Sequence, residues 1–350
     1  MEERMKLRVV QVSPRDVWSG AERIAWLLFR GLKARGFRSE MAVGVKTSAD
    51  PDIRIVPNGD FYPGIRGVAW AAQQLLVKHG KSARGLYRLS RFVRALVEPG
   101  SVPDSYYGRE DYRFPGTCRI IEPSDPPDIL HLHNLHGNYF DLRALPALSH
   151  GVPTVLTLHD LWTLTGFCTY PRGCERWQTG CGRCPLLRSR PSIVPAAWRK
   201  DGTADNWTEK ESLYAGSRLF LTCPSEWLMD KAARSILAPS VIGRRVIPYG
   251  IDLSAFRPGD RRKAREALGI AADRPVALVL GTRILMNPVK GYRVIRDAMI
   301  RMGSGWKGPR VLLLVVGSKA PDENFAGLDI RFVSHAGDAE AVRTCYLAAD

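Results

Sequence analysis

Short, almost wholly apolar runs recur along this chain, each closed by a polar or glycine-containing turn and followed by a stretch of helical periodicity. No other feature limits the fold as much. LRVVQV (7–12) leads through SPRDVWSG into AERIAWLLFRGLKARG, where Ile24, Leu27, Leu28 and Leu32 recur at helical spacing before Gly36 stops the pattern. SEMAVGV (39–45), PPDILHLHN (126–134), PTVLTLHD (153–160) and RLFLTCPS (218–225) repeat the run, with helix-like DLRALPALSHG and EWLMDKAARSIL after the third and fifth of these five runs. From about residue 245 the alternation starts again: RRVIPYG, a helix at 260–268, RPVALVLGTR (274–283), a helix after Gly291, PRVLLLVVGS (309–318), DIRFVSH (329–335) and the helical DAEAVRTCYLAAD. Strands that are apolar on both faces and alternate with helices belong to parallel sheets covered on both sides. The expected fold is therefore α/β, with two Rossmann-like domains at 1–245 and 246–350.

In open α/β sheets, ligands bind outside the carboxyl ends of the strands. The distinctive polar groups follow strands: Ser19-Gly20, His133-Asn134, His159-Asp160, Arg283 and Gly317-Ser318. If two such edges face one another they form an interdomain cleft. Gly20, before a helix, lets backbone N–H groups approach a phosphate, although a tight strand-to-helix turn explains a lone glycine equally well. Arg283 and Lys290 carry charges that can neutralise a departing diphosphate. His131 and His133 alternate onto one strand face; His131 reads as a core histidine, while His133, Asn134 and His136 read as substrate contacts. His159 can hydrogen-bond a substrate hydroxyl or a developing charge, with Asp160 fixing its tautomer or capping the next helix. No Ser-His-Asp set with a nucleophile elbow is present, and the glycine pattern with no following acid argues against a dinucleotide dehydrogenase.

Lysine and arginine outnumber aspartate and glutamate by 51 to 35, which favours anionic partners. Much of the excess sits in an insert at about 60–115. Within 61–98, Arg66, Lys78, Lys81, Arg84, Arg88, Arg91 and Arg94 face a single acid, Glu98, and alternate with Val68, Trp70, Leu75, Leu89, Phe92 and Leu96. This is the pattern of an amphipathic helix lying on an anionic membrane surface, or of a core helix with a solvated basic side. No window is long and apolar enough for a membrane span, and the N-terminus lacks a signal-peptide apolar region, so a cytoplasmic protein, peripheral at the inner membrane face, is expected.

Four of the seven cysteines, Cys168, Cys174, Cys181 and Cys184, fall in the loop 165–185, TGFCTYPRGCERWQTGCGRCP. In a reducing compartment a disulfide staple is disfavoured. Two readings remain open, a structural tetrathiolate zinc site seeded by Cys181-x2-Cys184 and a set of packed thiols. A closed four-sulfur site has no open coordination position, so it shapes a loop and performs no transfer.

Taken in order, SGAERIAWLLFRGLKARGF, PPDILHLHN, LTLHDLW, CPSEWL, PYGIDLSAFRP and LGTR…KG resemble the retaining glycosyltransferases of family 4, which have the GT-B fold of two facing Rossmann-like domains. The resemblance covers nearly the whole chain outside 50–125, and cysteine-rich segments after the HD(L/M)W motif occur in the family's exopolysaccharide and capsule enzymes. It implies a nucleotide-sugar donor held mainly by the C-terminal domain and a glycan or lipid-linked acceptor on the N-terminal one. Gly20, Gly317, Arg283 and Lys290 would bind the donor, His159 would contact the transferred sugar, and no catalytic metal is required. The spacing from Arg283 to Lys290 is slightly longer than the family's. The chain also stops at YLAAD, before the family's segment with two glutamates eight positions apart, so the expectation is a truncated chain, its C-terminal domain incomplete, with little transferase activity by itself. Two other functions compete, a zinc-containing nucleic-acid-binding protein and a nucleotide-sugar epimerase or GT-B-like binding protein. The first lacks a finger spacing and a basic or aromatic platform near the cysteines, so no nucleic acid partner is expected.

Overall fold

A computed structural model describes residues 7–17, 20–79, 84–187, 199–282, 284–334 and 339–350. The chain divides into two compact units, Met1–Tyr249 and Gly250–Asp350. The first contains β1 (Arg8–Arg15), α1 (Gly20–Ala34), β2 (Arg38–Val45), β3 (Ile53–Ile55), α2 (Ile65–His79), α3 (Arg84–Val97), α4 (Ser101–Tyr107), β4 (Ile129–Leu132), α5 (Leu145–Gly151), β5 (Thr154–Thr157), α6 (Thr203–Ala215), β6 (Leu219–Cys223), α7 (Glu226–Ala233) and β7 (Val241–Val246). Its sheet runs β3-β2-β1-β4-β5-β6-β7 with every pairing parallel. The order reverses between β1 and β4, the place where an open α/β sheet leaves a crevice at its carboxyl edge.

RRVIPYG therefore closes the first sheet instead of opening the second, because β7 pairs with β6, and the boundary lies at 249/250. The buried stripe of α1 is also rotated from the expected one: Glu22, Ala25 and Phe29 face inward, and Leu28 is exposed. Phe29 packs with Met41, Val43 and Ile53 beneath it.

The basic insert is two helices, α2 and α3, packed together and followed by α4. Its inner side is a small core of Tyr62, Trp70, Val97 and Phe114. Arg94 belongs to that core. Its guanidinium donates twice to Asp111 Oδ2 (3.0 and 2.8 Å), once to the Arg113 carbonyl, and lies over the Phe114 ring at 4.7 Å. Arg66 is tied to the Val97 carbonyl and to Glu98. These two cations are thus neutralised within the protein, while Ile65, Val68, Leu75, Leu89, Phe92 and Leu96 remain exposed. Lys81 lies outside the described residues, as do the side chains of Arg84 and Arg88.

The second unit comprises α8 (Arg261–Ala267), β8 (Val276–Leu280), α9 (Tyr292–Gly305), β9 (Val311–Val316), β10 (Glu323–Phe325), β11 (Leu328–Val333) and α10 (Ala339–Ala348). Its sheet order is β10-β11-β9-β8, with only the β10–β11 hairpin antiparallel. Every residue of β9, VLLLVV, is buried, as the central strand of a doubly covered sheet requires. Among the described residues, no helix is long and apolar enough to cross a membrane.

Candidate active site

Two histidines stand at the carboxyl ends of neighbouring strands at the switch point of the first sheet. His133 directly follows β4, where its N–H donates to the Val12 carbonyl on β1, and His159 follows β5. Their rings stack in series with His131 and Tyr249: centroids lie 4.5 Å apart for His131/His133, 5.2 Å for His133/His159 and 5.6 Å for His159/Tyr249. Hydrogen bonds join them edge to edge. His133 Nε2 meets Gln11 Oε1 at 2.8 Å, His133 Nδ1 meets His159 Nε2 at 2.9 Å, and His159 Nδ1 meets the Tyr249 hydroxyl at 2.6 Å.

Burial, reinforced by the neighbouring imidazoles, holds His133 well below the usual histidine range and pushes His131 down to about 4. Burial lowers His159 to about 4 as well, against the opposing pull of Asp160 and Glu22. The Tyr249 phenol is raised to about 12. At neutral pH the stack is therefore uncharged, able to accept or donate hydrogen bonds without presenting a fixed cation.

His133, expected to touch substrate, is 1% exposed with both ring nitrogens engaged, so it supports His159 and does not itself reach a ligand. Of the two tasks expected of Asp160, the structure shows the capping one. Oδ1 accepts from the Trp162 N–H at 2.9 Å, capping the next turn, and Oδ2 pairs with His136 Nε2 at 2.9 Å; the tautomer partner of His159 is His133. The Asn134 carbonyl accepts a hydrogen bond from the Tyr139 hydroxyl at 2.9 Å. His131 is the satisfied interior histidine of the sequence reading, with Nε2 on Thr157 Oγ1 at 2.7 Å.

The family model described as Glycosyltransferase Family 4 matches residues 18–255. The chain belongs to glycosyltransferase family 4. The Escherichia coli (strain K12) protein WcaC, whose name assigns it to colanic acid biosynthesis as a glycosyl transferase, is 32% identical over 190 residues, covering 52% of this chain and 44% of WcaC. D-inositol 3-phosphate glycosyltransferases of Geodermatophilus obscurus and Actinosynnema mirum are 42% and 38% identical over 57 and 87 residues, or 16% and 22% of this chain and 12% and 20% of theirs. Each match thus spans less than half the length of these relatives.

Other residues singled out for family 4 chemistry are distributed over both units. Gly20 opens α1, and a Cβ built there would meet nothing within 4 Å, so internal packing does not demand glycine and the space is left open. Gly317 differs. It has φ +104°, and a Cβ would stand 2.5 Å from the Gly281 carbonyl oxygen, so the close approach of the β8 and β9 ends accounts for the glycine without a ligand. Lys290 ends a single turn at Pro288–Lys290, before Gly291 (φ +70°) and α9; it is exposed and has no partner among the described residues. Arg283 and Ser19 lie outside the described residues.

All four loop cysteines, Cys168, Cys174, Cys181 and Cys184, line one cavity of about 20 Å³ together with Phe167, Trp177 and Leu186. They are free thiols; burial raises Cys168 to about 12 and lifts Cys181 and Cys184 too. The Gly166 N–H points at Cys181 Sγ at 3.2 Å, and backbone N–H groups of Leu186 and Leu187 favour a Cys184 thiolate. The donor set suits zinc, but among the described residues no three His, Cys, Asp or Glu side chains stand as a group able to hold a metal ion. Metal binding would have to draw the loop inward.

Sequence reading missed the groups that fix this loop. Lys210 of α6 is fully buried. Its ammonium pairs with Glu110 Oε2 at 2.8 Å, donates to the Trp162 and Thr165 carbonyls at 3.0 and 3.1 Å, and sits 3.5 Å from the Trp162 ring centroid. Trp162 Nε1–H donates to the other oxygen of Glu110 at 2.6 Å. One ion pair thus clamps the turn after His159-Asp160 between α6 and the end of the basic insert.

Proposed function

We propose that this protein moves a sugar from a nucleotide-diphosphate donor to a glycan or lipid-linked acceptor in the synthesis of a cell-surface polysaccharide, with retention of anomeric configuration. The observation that carries the reading is the neutral, stacked His133–His159–Tyr249 array at the switch point of a chain that belongs to family 4. The polysaccharide assignment follows the name of WcaC. His159 offers a ring nitrogen to a hydroxyl of the transferred sugar. Lys290, with Arg283, supplies positive charge for the departing diphosphate, and Gly20 leaves room for backbone N–H groups near it. In the retaining step the bond from the anomeric carbon to phosphate breaks and the bond to the acceptor oxygen forms on the same face. The acceptor proton passes to the departing phosphate oxygen, so that step needs neither a protein nucleophile nor a divalent metal.

Binding of nucleotide-diphosphate sugars followed by calorimetry tests the donor half. Lys290→Ala should weaken the complex by about 1.5–3 kcal/mol, the worth of a charge-assisted contact. An affinity unchanged by the substitution would remove Lys290 from the donor site.

The exposed apolar residues of α2 and α3, beside the outward Lys78, favour peripheral attachment to the anionic cytoplasmic face of a membrane. Phe92→Ser with Leu89→Ser should reduce sedimentation with vesicles containing anionic lipid several-fold; equal binding to purely zwitterionic vesicles would contradict the reading. For the cysteine loop the corresponding reading is one structural zinc per chain, supported by the convergence of four thiols on one cavity and by the buried Lys210 cation near Cys168 and Cys181. Metal analysis of protein purified without chelator should give one zinc, lost in Cys181→Ser with Cys184→Ser. A folded, metal-free sample would end the idea.

A further inference from the structure

Gln11 sits in the middle of β1, wholly buried, with its amide between the buried Val9, Val10 and Val12 of the same strand. Such a residue must be explained, because an amide inside an apolar layer costs free energy unless its hydrogen bonds are made. Its oxygen is matched by His133 Nε2 at 2.8 Å, whereas its nitrogen has no partner among the described residues.

Three hydrogen bonds in line join Gln11, His133, His159 and Tyr249, and each needs one proton. Burial keeps both imidazoles neutral, so each carries a single N–H. An amide oxygen can only accept. His133 must then place its proton on Nε2, which leaves Nδ1 as an acceptor. His159 must in turn place its proton on Nε2 to donate to His133, and its Nδ1 is left bare to accept from the Tyr249 hydroxyl. Three protons fill three bonds, all pointing inward. Were the amide nitrogen to face His133, each step would reverse and His159 would present an N–H at its outer end.

We propose that Gln11 is a positioning residue that, through His133, fixes the tautomer of His159, so that Nδ1 faces the exposed Tyr249 side as a hydrogen-bond acceptor for a hydroxyl group. The Tyr249 hydroxyl, on a residue 41% exposed, occupies the seat that a sugar hydroxyl takes when it displaces it. The array therefore selects a hydroxyl-bearing sugar at that position and discriminates against a deoxy or O-alkylated one, which offers Nδ1 no proton with which to replace the bond from Tyr249. The consequence for transfer rests on the function proposed above; the tautomer does not.

Nitrogen-15 NMR of the histidine rings in the full chain reads the tautomers directly. In the wild type, Nε2 of both His133 and His159 should be pyrrole-like and Nδ1 of both pyridine-like. Gln11→Met, close in size but without the acceptor, should move both rings toward a mixture of tautomers and lower kcat roughly 10- to 100-fold, the usual effect of removing an orienting partner, with little change in donor KM. A protonated His159 Nδ1 in the wild type overturns the proposal without need of any variant, as do unchanged tautomers in a folded Gln11→Met. Shifted tautomers with unchanged kcat would leave the relay standing and overturn the role of His159 in transfer.

Discussion

Lys210→Met is expected to destabilise the first unit by about 3–5 kcal/mol, read as a fall of roughly 10 °C in its melting temperature. Removing the ammonium leaves the Glu110 carboxylate interred beside Trp162 and Tyr112 without a counter-charge. It also strips the Trp162 and Thr165 carbonyls of their donor. The cost comes from what stays behind, because a buried ion pair in itself contributes little net stability. Hence Lys210→Met combined with Glu110→Gln should recover much of the loss, since glutamine still accepts from Trp162 Nε1–H and carries no charge. A loss under about 1 kcal/mol for the single substitution would mean that the clamp is not what holds the turn after Asp160.

His159→Ala is expected to lower kcat for sugar transfer by about 10²–10³-fold, the usual effect of deleting one positioned polar group from a site where charge develops. It should also change the acid response of the fold, and the sign follows from protons bound. His159 has a folded pKa of about 4, below the value of 6.5 in an open chain. Between those values the unfolded chain takes up a proton that the folded one refuses. The share of wild-type stability that His159 carries thus falls as pH drops from 6.5 toward 4 and changes no further below it. The substitution removes up to about 3 kcal/mol of that slope. His131 and His133 retain their own shares. Denaturant titrations at pH 7 and pH 4.5 on both proteins check the difference; a wild-type stability flat across this window would contradict the buried, neutral stack.

The strands that build this site were legible because each is an apolar run with a polar residue at its end. HLHN and TLHD stand where parallel strands stop, which puts His133 and His159 on one sheet edge from the sequence alone. What the residues could not tell was depth. His133 and His159 look alike in sequence, yet one is sealed beneath the other. α6 escaped notice since its inward stripe is Thr203, Asn206, Lys210 and Tyr214, a polar face with no hydrophobic period to detect. The cations of the insert were indistinguishable for a similar reason. Arg94 and Lys210 are interior because Asp111 and Glu110 arrive from elsewhere in the chain, which is a fact of tertiary structure. Gln11 left one faint trace, a lone amide in RVVQV. The three-residue strands β3 and β10 are too short to carry a period at all.

Retaining sugar transfer from a nucleotide donor is tested most directly by NMR of the glycoside product formed by the protein that carries this chain. With donors of defined anomeric configuration, the product should bear the configuration of the donor and its appearance should match release of the nucleoside diphosphate. A product of inverted configuration, or no transfer from any nucleotide-sugar to glycan or lipid-linked acceptors, would contradict the account.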